Sequence, residues 1–133
     1  MFIHTTTSLR RVLAFDAAMS GLAAIAFAAG AGIIAFLTEL PHGLVFWSGI
    51  VLVPWTVFLG WYARREQMPR IVLVDIVAVN ALWTAASFGL LLSGVIQPNA
   101  LGVALVVAQA IMVGVLTALQ FAALRGGRAA RAA

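Results

Sequence analysis

Four long apolar runs, separated by short polar punctuation, dominate the chain. The first extends from Val12 to Leu37 and is interrupted only by Asp16 and Ser20. The others cover Leu44–Tyr62, Ile71–Ile96 and Asn99–Leu124. At 1.5 Å per residue each is long enough to cross a hydrocarbon core of about 30 Å. The pattern predicts an all-α fold: a single four-helix transmembrane domain over residues 1–133, with spans at about 10–37, 44–63, 70–96 and 99–124. The charged run Trp61–Arg70 (WYARREQMPR) divides these helices into two hairpins. Thr7 or Ser8 is placed to cap the first helix and Pro41 to end it. Pro54 predicts a kink in the second span, Pro69 a first helical position for the third, and Pro98 opens the fourth.

Composition agrees with the periodicity. Hydrophobic residues make up 64% of the chain, charged residues 9%, and the mean hydropathy is +1.10, so lipid is the expected solvent. All eight basic residues are arginines. Arg10 and Arg11 precede the first span, Arg64, Arg65 and Arg70 lie in the central turn, and Arg125, Arg128 and Arg131 follow the last span. The turns at residues 38–43 and 94–99 hold none, and their lone charge is Glu39. By the positive-inside rule this is a multi-pass protein with both termini in the cytoplasm. Trp47 at one end of the second span and Trp61 and Tyr62 at the other form interfacial belts. The competing reading, a signal peptide cut after Ala26-Phe27-Ala28, is disfavoured by Asp16, which would interrupt its apolar region. Arginines at span ends serve orientation, so no nucleic-acid partner is expected.

Polar residues inside the spans are costly and therefore informative. Asp16, Asp75 and Gln120 each lie five residues, about 7.5 Å, from an arginine at a span end, which predicts a polar layer at one depth. Gly60 occupies the same layer on the second span and leaves room for neighbours. Asp16, Ser20, Ala24, Ala28 and Gly32 recur every four residues as a small or polar stripe. Gly49, Thr56 and Gly60, then Asn80, Thr84 and Ser87, and finally Gln109 and Gln120 give the other spans comparable stripes. The expected intramembrane cluster is Asp16, Ser20, Asp75, Asn80, Gln109 and Gln120. Arg10, Arg11, Arg64, Arg65, Arg70 and Arg125 are its ion-pair partners and the topology signals. Asp75 is turned about 140° away from Asn80, and so points toward Arg10, Arg11 or a second copy. The spacing shared by Arg11 and Asp16 with Arg70 and Asp75, and by Gly30 with Gly89, raises a possible duplication of the hairpin.

Catalytic and metal constellations are not found. There is no cysteine, His4 and His42 fall at opposite ends of the first span, no serine has a histidine base within reach, and no glycine-rich phosphate loop occurs. The expectation is a protein that is not an enzyme and has no cofactor and no metal.

The segments LRRVLAFDAAMSG at Leu9–Gly21, NALW at Asn80–Trp83 and Leu119-Gln120-Phe121 resemble a group of small four-helix bacterial integral membrane proteins of unassigned function. That resemblance implies a bacterial inner-membrane location and transfers no catalytic residue. The chain is also similar in size and span number to small multidrug-resistance transporters, which carry a carboxylate in their first helix. It departs from them in having Asp16 in place of glutamate, and in the residues around it. The reading favoured at this level is a non-catalytic inner-membrane protein. Its partners would be the lipid bilayer and either further copies of itself or another membrane protein to which it is an accessory subunit. The alternative is a proton-coupled small-molecule transporter using a membrane-embedded aspartate.

Overall fold

The protein was analysed as a computed structural model, which describes residues 1–132, with side chains described as far as Gly126. Its elements are β1 (Phe2–His4), α1 (Thr7–Ala29), α2 (Ala31–Thr38), α3 (His42–Ala63), β2 (Gln67–Pro69), α4 (Arg70–Ser93) and α5 (Ala100–Ala132). Four of these helices, α1, α3, α4 and α5, are long and apolar enough to cross a membrane. Their outer surfaces carry large apolar side chains: Phe36 is 83% exposed and Leu92 is 88% exposed. A surface of this kind is unfavourable in water and suited to lipid.

The helix ends differ from the expected ones for identifiable reasons. Thr6, rather than Thr7 or Ser8, caps α1, its side-chain oxygen accepting from the Leu9 N–H at 3.2 Å. The first apolar run is two helices, not one continuous span over 10–37. Gly30 leaves helical geometry (φ −105°, ψ 16°) and α2 restarts at Ala31. No proline marks that break, and a glycine inside an apolar run signals a helix break only weakly. Pro69 lies before α4 in extended conformation (φ −59°, ψ 136°) instead of serving as its first helical residue. It is occupied by a short antiparallel pairing in which Phe2, Ile3 and His4 face Pro69, Met68 and Gln67. α4 ends at Ser93, with Gly94 in left-handed conformation (φ 76°), and α3 continues as helix through Pro54.

Packing is tightest between α1 and α3 and between α4 and α5, and α1 also touches α5. A side chain at Gly49 would collide with the Ala28 backbone and lie 2.9 Å from the Phe27 carbonyl carbon, so glycine sets how closely α3 approaches α1. Two apolar clusters close the ends of the bundle. At the arginine-bearing end, Ile3, Leu9, Leu13, Leu59, Met68, Leu73, Ile76 and Leu124 join both strands to all four long helices. At the other end Ala31, Leu40, Val45 and Ile96 meet. There Asn99 ties α2 to α5: its side-chain N–H donates to the Leu37 carbonyl at 2.8 Å, its backbone N–H to that of Thr38 at 3.0 Å, and its side-chain oxygen caps Gly102.

A candidate site in the bundle interior

The inward face of α4 is drawn by Leu73, Ile76, Asn80 and Ser87, all buried at helical spacing. That phase carries Asn80 to the carboxylate of Asp16 on α1 and the amide of Gln120 on α5. The three are 4%, 3% and 0% exposed respectively. The Asn80 amide nitrogen donates to Asp16 Oδ2 and to Gln120 Oε1, each at 2.9 Å. Gln120 Nε2 donates to the same Asp16 Oδ2 at 2.7 Å, and Ser20 Oγ donates to Asp16 Oδ1 at 3.3 Å. The carboxylate is thus held by three neutral donors from three helices. Burial without such donors would cost several kcal/mol, and each donor removes part of that penalty.

Two sequence expectations are corrected by this arrangement. Asp75, expected in the intramembrane cluster, is exposed on the outer face of α4 and takes no part in the network, whereas Asn80 joins it as expected. Equal depth had grouped Asp75 with Asp16 and Gln120, but the rotation of α4 that buries Leu73 and Ile76 turns Asp75 outward. Nor do arginines pair with either aspartate among the described residues. Arg10 Nε donates to the Ala63 carbonyl at 3.3 Å, Arg65 stacks 4.2 Å over Trp61, and Arg125 lies 5.8 Å from the Phe121 ring. Arg11 and Arg64 are exposed, and Arg70 is half-buried with one guanidinium nitrogen lacking a partner. The paired spacings therefore lead to unlike environments: Asp16 is inside and Asp75 outside, while Gly30 breaks a helix and Gly89 lies within one. Gly60, expected to make room in the polar layer, faces open space.

A second polar layer lies farther along the bundle. Gln109 Oε1 accepts from the Trp83 indole N–H at 2.7 Å, while Gln109 Nε2 donates to Ser87 Oγ at 3.0 Å and to the Val106 carbonyl at 2.8 Å. Gln109 is thus in a polar cluster, but a separate one from Asp16. Trp83, at mid-span, is one of its donors, and nothing in its spacing distinguishes that role from packing.

Between the layers is a cavity of about 490 Å³ lined by Asp16 and Ser20 of α1, Trp55 and Phe58 of α3, Asn80 and Trp83 of α4, and Gln109 and Met112 of α5. Asp16 is the one ionisable group among its described lining residues. The remainder of the wall is largely apolar, with Trp55 and Phe58 stacked at 5.5 Å between ring centroids. The α3 and α4 walls of the cavity include Val51, Pro54 and Val79, which are themselves exposed. A second cavity of about 180 Å³ toward the other end shares Phe27, Trp83 and Gln109 with the first. Among the described residues no three His, Cys, Asp or Glu side chains gather as a metal ion would require.

No family model, curated protein or solved structure matches the chain.

Proposed function

We propose that this integral membrane protein is a small-molecule carrier in which Asp16 exchanges a proton for a ligand held in the interior cavity. The observation that carries the reading is a buried carboxylate, bound among the described residues by neutral donors alone, on the wall of a 490 Å³ apolar cavity among the spans. Structural ion pairing would place an arginine against the carboxylate, and among the described residues none is there. An intramembrane carboxylate beside a cavity is a site for charge exchange by default. The chemistry is binding and release, with no covalent step, consistent with a non-enzymatic role. The two cavities share Trp83 and Gln109 and together extend the interior space from the Asp16 layer toward the opposite apolar cluster. The arginine distribution favours an orientation with both termini in the cytoplasm, and the resemblance to small four-helix bacterial membrane proteins implies the inner membrane of a bacterium.

Proteoliposomes enclosing a pH-sensitive dye, mixed with a panel of cationic, neutral and anionic amphiphiles, test this. At least one compound should drive proton movement above the protein-free baseline, and Asp16→Asn should abolish it while the protein stays folded. A panel that moves no protons through the wild-type protein, or an Asp16→Asn variant that moves them equally fast, overturns the reading.

Self-association or an accessory role has its own supporting observation. Asp75 lies on an exposed strip of α4 with Ile71, Ala78, Val79 and Leu82, and an ionisable group on such a face is better accommodated against a second helix than in lipid. Asp16, occupied within its own protomer, has no part in that interface. Native mass spectrometry from lipid nanodiscs should then find a complex that Asp75→Leu dissociates. A monomeric wild-type protein removes this second role.

A further inference from the structure

We propose that the furrow between α1 and α5 is a binding site for one anionic phospholipid, whose phosphate pairs with Arg11 and whose acyl chain lies along the two helices. The furrow is on the lipid side of the bundle, and of its lining residues only Met112 also lines the interior cavity. It has a volume of about 540 Å³, and Arg11 is the one ionisable group among its described lining residues. Successive residues on a helix are about 100° apart, so Arg10, whose Nε donates to the Ala63 carbonyl on α3, leaves Arg11 to face α5. Arg65 is stacked over Trp61, and Arg125 is near the Phe121 ring. Arg11, in contrast, is exposed and has no hydrogen bond or ion pair among the described residues. A planar guanidinium in that state, at the end of a span, matches a phosphate with two parallel hydrogen bonds.

The furrow supplies the apolar half of the site. α1 packs closely on α3 and α5 on α4, but α1 meets α5 less closely, and the gap between them runs along the helices. Leu116 is buried at its floor, while Phe15, Val115 and Leu119 are 51%, 54% and 49% exposed and form its sides. From Met112 to Leu119 the α5 side extends about 10 Å, and Arg11 lies at the arginine-bearing end. Acyl chains touch every lipid-facing surface, so a headgroup partner at the end of such a channel is what selects one lipid over its neighbours. Charge complementarity then fixes the headgroup. Arg10, Arg64, Arg65 and Arg125 are exposed at the same end, where Glu66 is the one carboxylate of the central turn. That field favours a headgroup of net negative charge and repels the amine of a zwitterionic one. It also disfavours a second copy in the same orientation, which would bring its own arginines against Arg11.

The test releases the full chain into a native mass spectrometer from nanodiscs of equimolar dioleoyl phosphatidylglycerol and dioleoyl phosphatidylcholine. Their acyl chains are identical, so retention compares headgroups alone. The expected result is one retained lipid per chain, with phosphatidylglycerol favoured about fivefold, the effect of one arginine at the interface. Arg11→Gln should remove the preference. Arg64→Gln, the same charge change outside the furrow, should keep it. Val115→Trp, which fills the furrow and leaves Arg11 in place, should remove retention of either lipid. Equal retention of the two lipids by the wild-type protein overturns the proposal without recourse to any variant. So does a preference that survives in Arg11→Gln, or one lost equally in Arg64→Gln, which would mark diffuse attraction to the arginine-bearing end. Retention unchanged in Val115→Trp would show that the furrow seats no chain, and a lipid-free dimer dissociated by Val115→Trp would put a second copy there; either result also overturns it.

Discussion

Asp16, Asn80 and Gln120 form a closed triangle of side chains, and each is only as well placed as the other two. Replacing Gln120 by Leu removes one donor from a buried carboxylate and should cost about 1–3 kcal/mol of stability. Asn80→Leu removes donors from two acceptors and should cost more. Because both amides serve the same Asp16 oxygen, the double variant should fall short of the sum. Unfolding midpoints in lipid nanodiscs measure all three, and strict additivity would show that the triangle does not act as a unit. Trp83→Phe, which removes one neutral donor from Gln109, should cost less, about 0.6 kcal/mol as for a typical interhelical hydrogen bond in a membrane protein. Much of this chemistry is legible from residue spacing, since the distance of Asp16 and Gln120 from the nearest arginine gives their shared depth. Depth alone also admits Asp75, and it is the five-residue offset from Asn80 that turns Asp75 aside in the sequence. The side that a helix turns inward is decided by all its apolar contacts together, and on α4 those of Leu73 and Ile76 prevail.

Among the elements, the contact of α1 with α3 depends on a missing side chain. Gly49→Val has to displace the backbone at Phe27 and Ala28 and should destabilise the protein by about 1–3 kcal/mol. Gly60→Ala, on the same helix in open space, should be neutral or stabilising by up to about 1 kcal/mol. Thermal inactivation of the two variants side by side makes the comparison. An equal loss would mean that close approach of α1 is not what distinguishes Gly49 from Gly60. Hydropathy locates the long helices, because twenty apolar residues have few alternatives in lipid. It is blind to the pairing of β1 with β2. Each strand is three residues long and buries a single side chain, Ile3 or Met68, so no alternation develops that could be read in advance.

For the molecule as a whole, that pairing fixes which ends lie together. The amino terminus, the central turn and the end of α5 near Leu124 share one apolar cluster, and the α2–α5 junction at Asn99 is remote from it. The chain contains no cysteine, so single thiols can be introduced cleanly. His4→Cys, Gln67→Cys and Gly126→Cys should all react with an impermeant maleimide from one side of a sealed vesicle, and His42→Cys from the other. Reaction of His4→Cys and Gly126→Cys from opposite sides would contradict an even number of spans. The lipid-facing surface was foreseeable from composition, but the cavity was not: its walls come from four helices whose mutual rotation appears in no local pattern.

The closed triangle also has an order in time. Asp16 is 64 residues ahead of Asn80 and 104 ahead of Gln120 in the chain. A ribosome adding about 5–20 residues per second delivers the carboxylate several seconds before its last donor exists. Through that interval the first helix carries an acid into the bilayer with Ser20 but without its amide partners, and β1 waits for β2. The nascent protein cannot acquire its finished interior until the final helix is made, so a chain stopped short of Gln120 should be recognised and degraded as incomplete, however well its earlier spans have inserted.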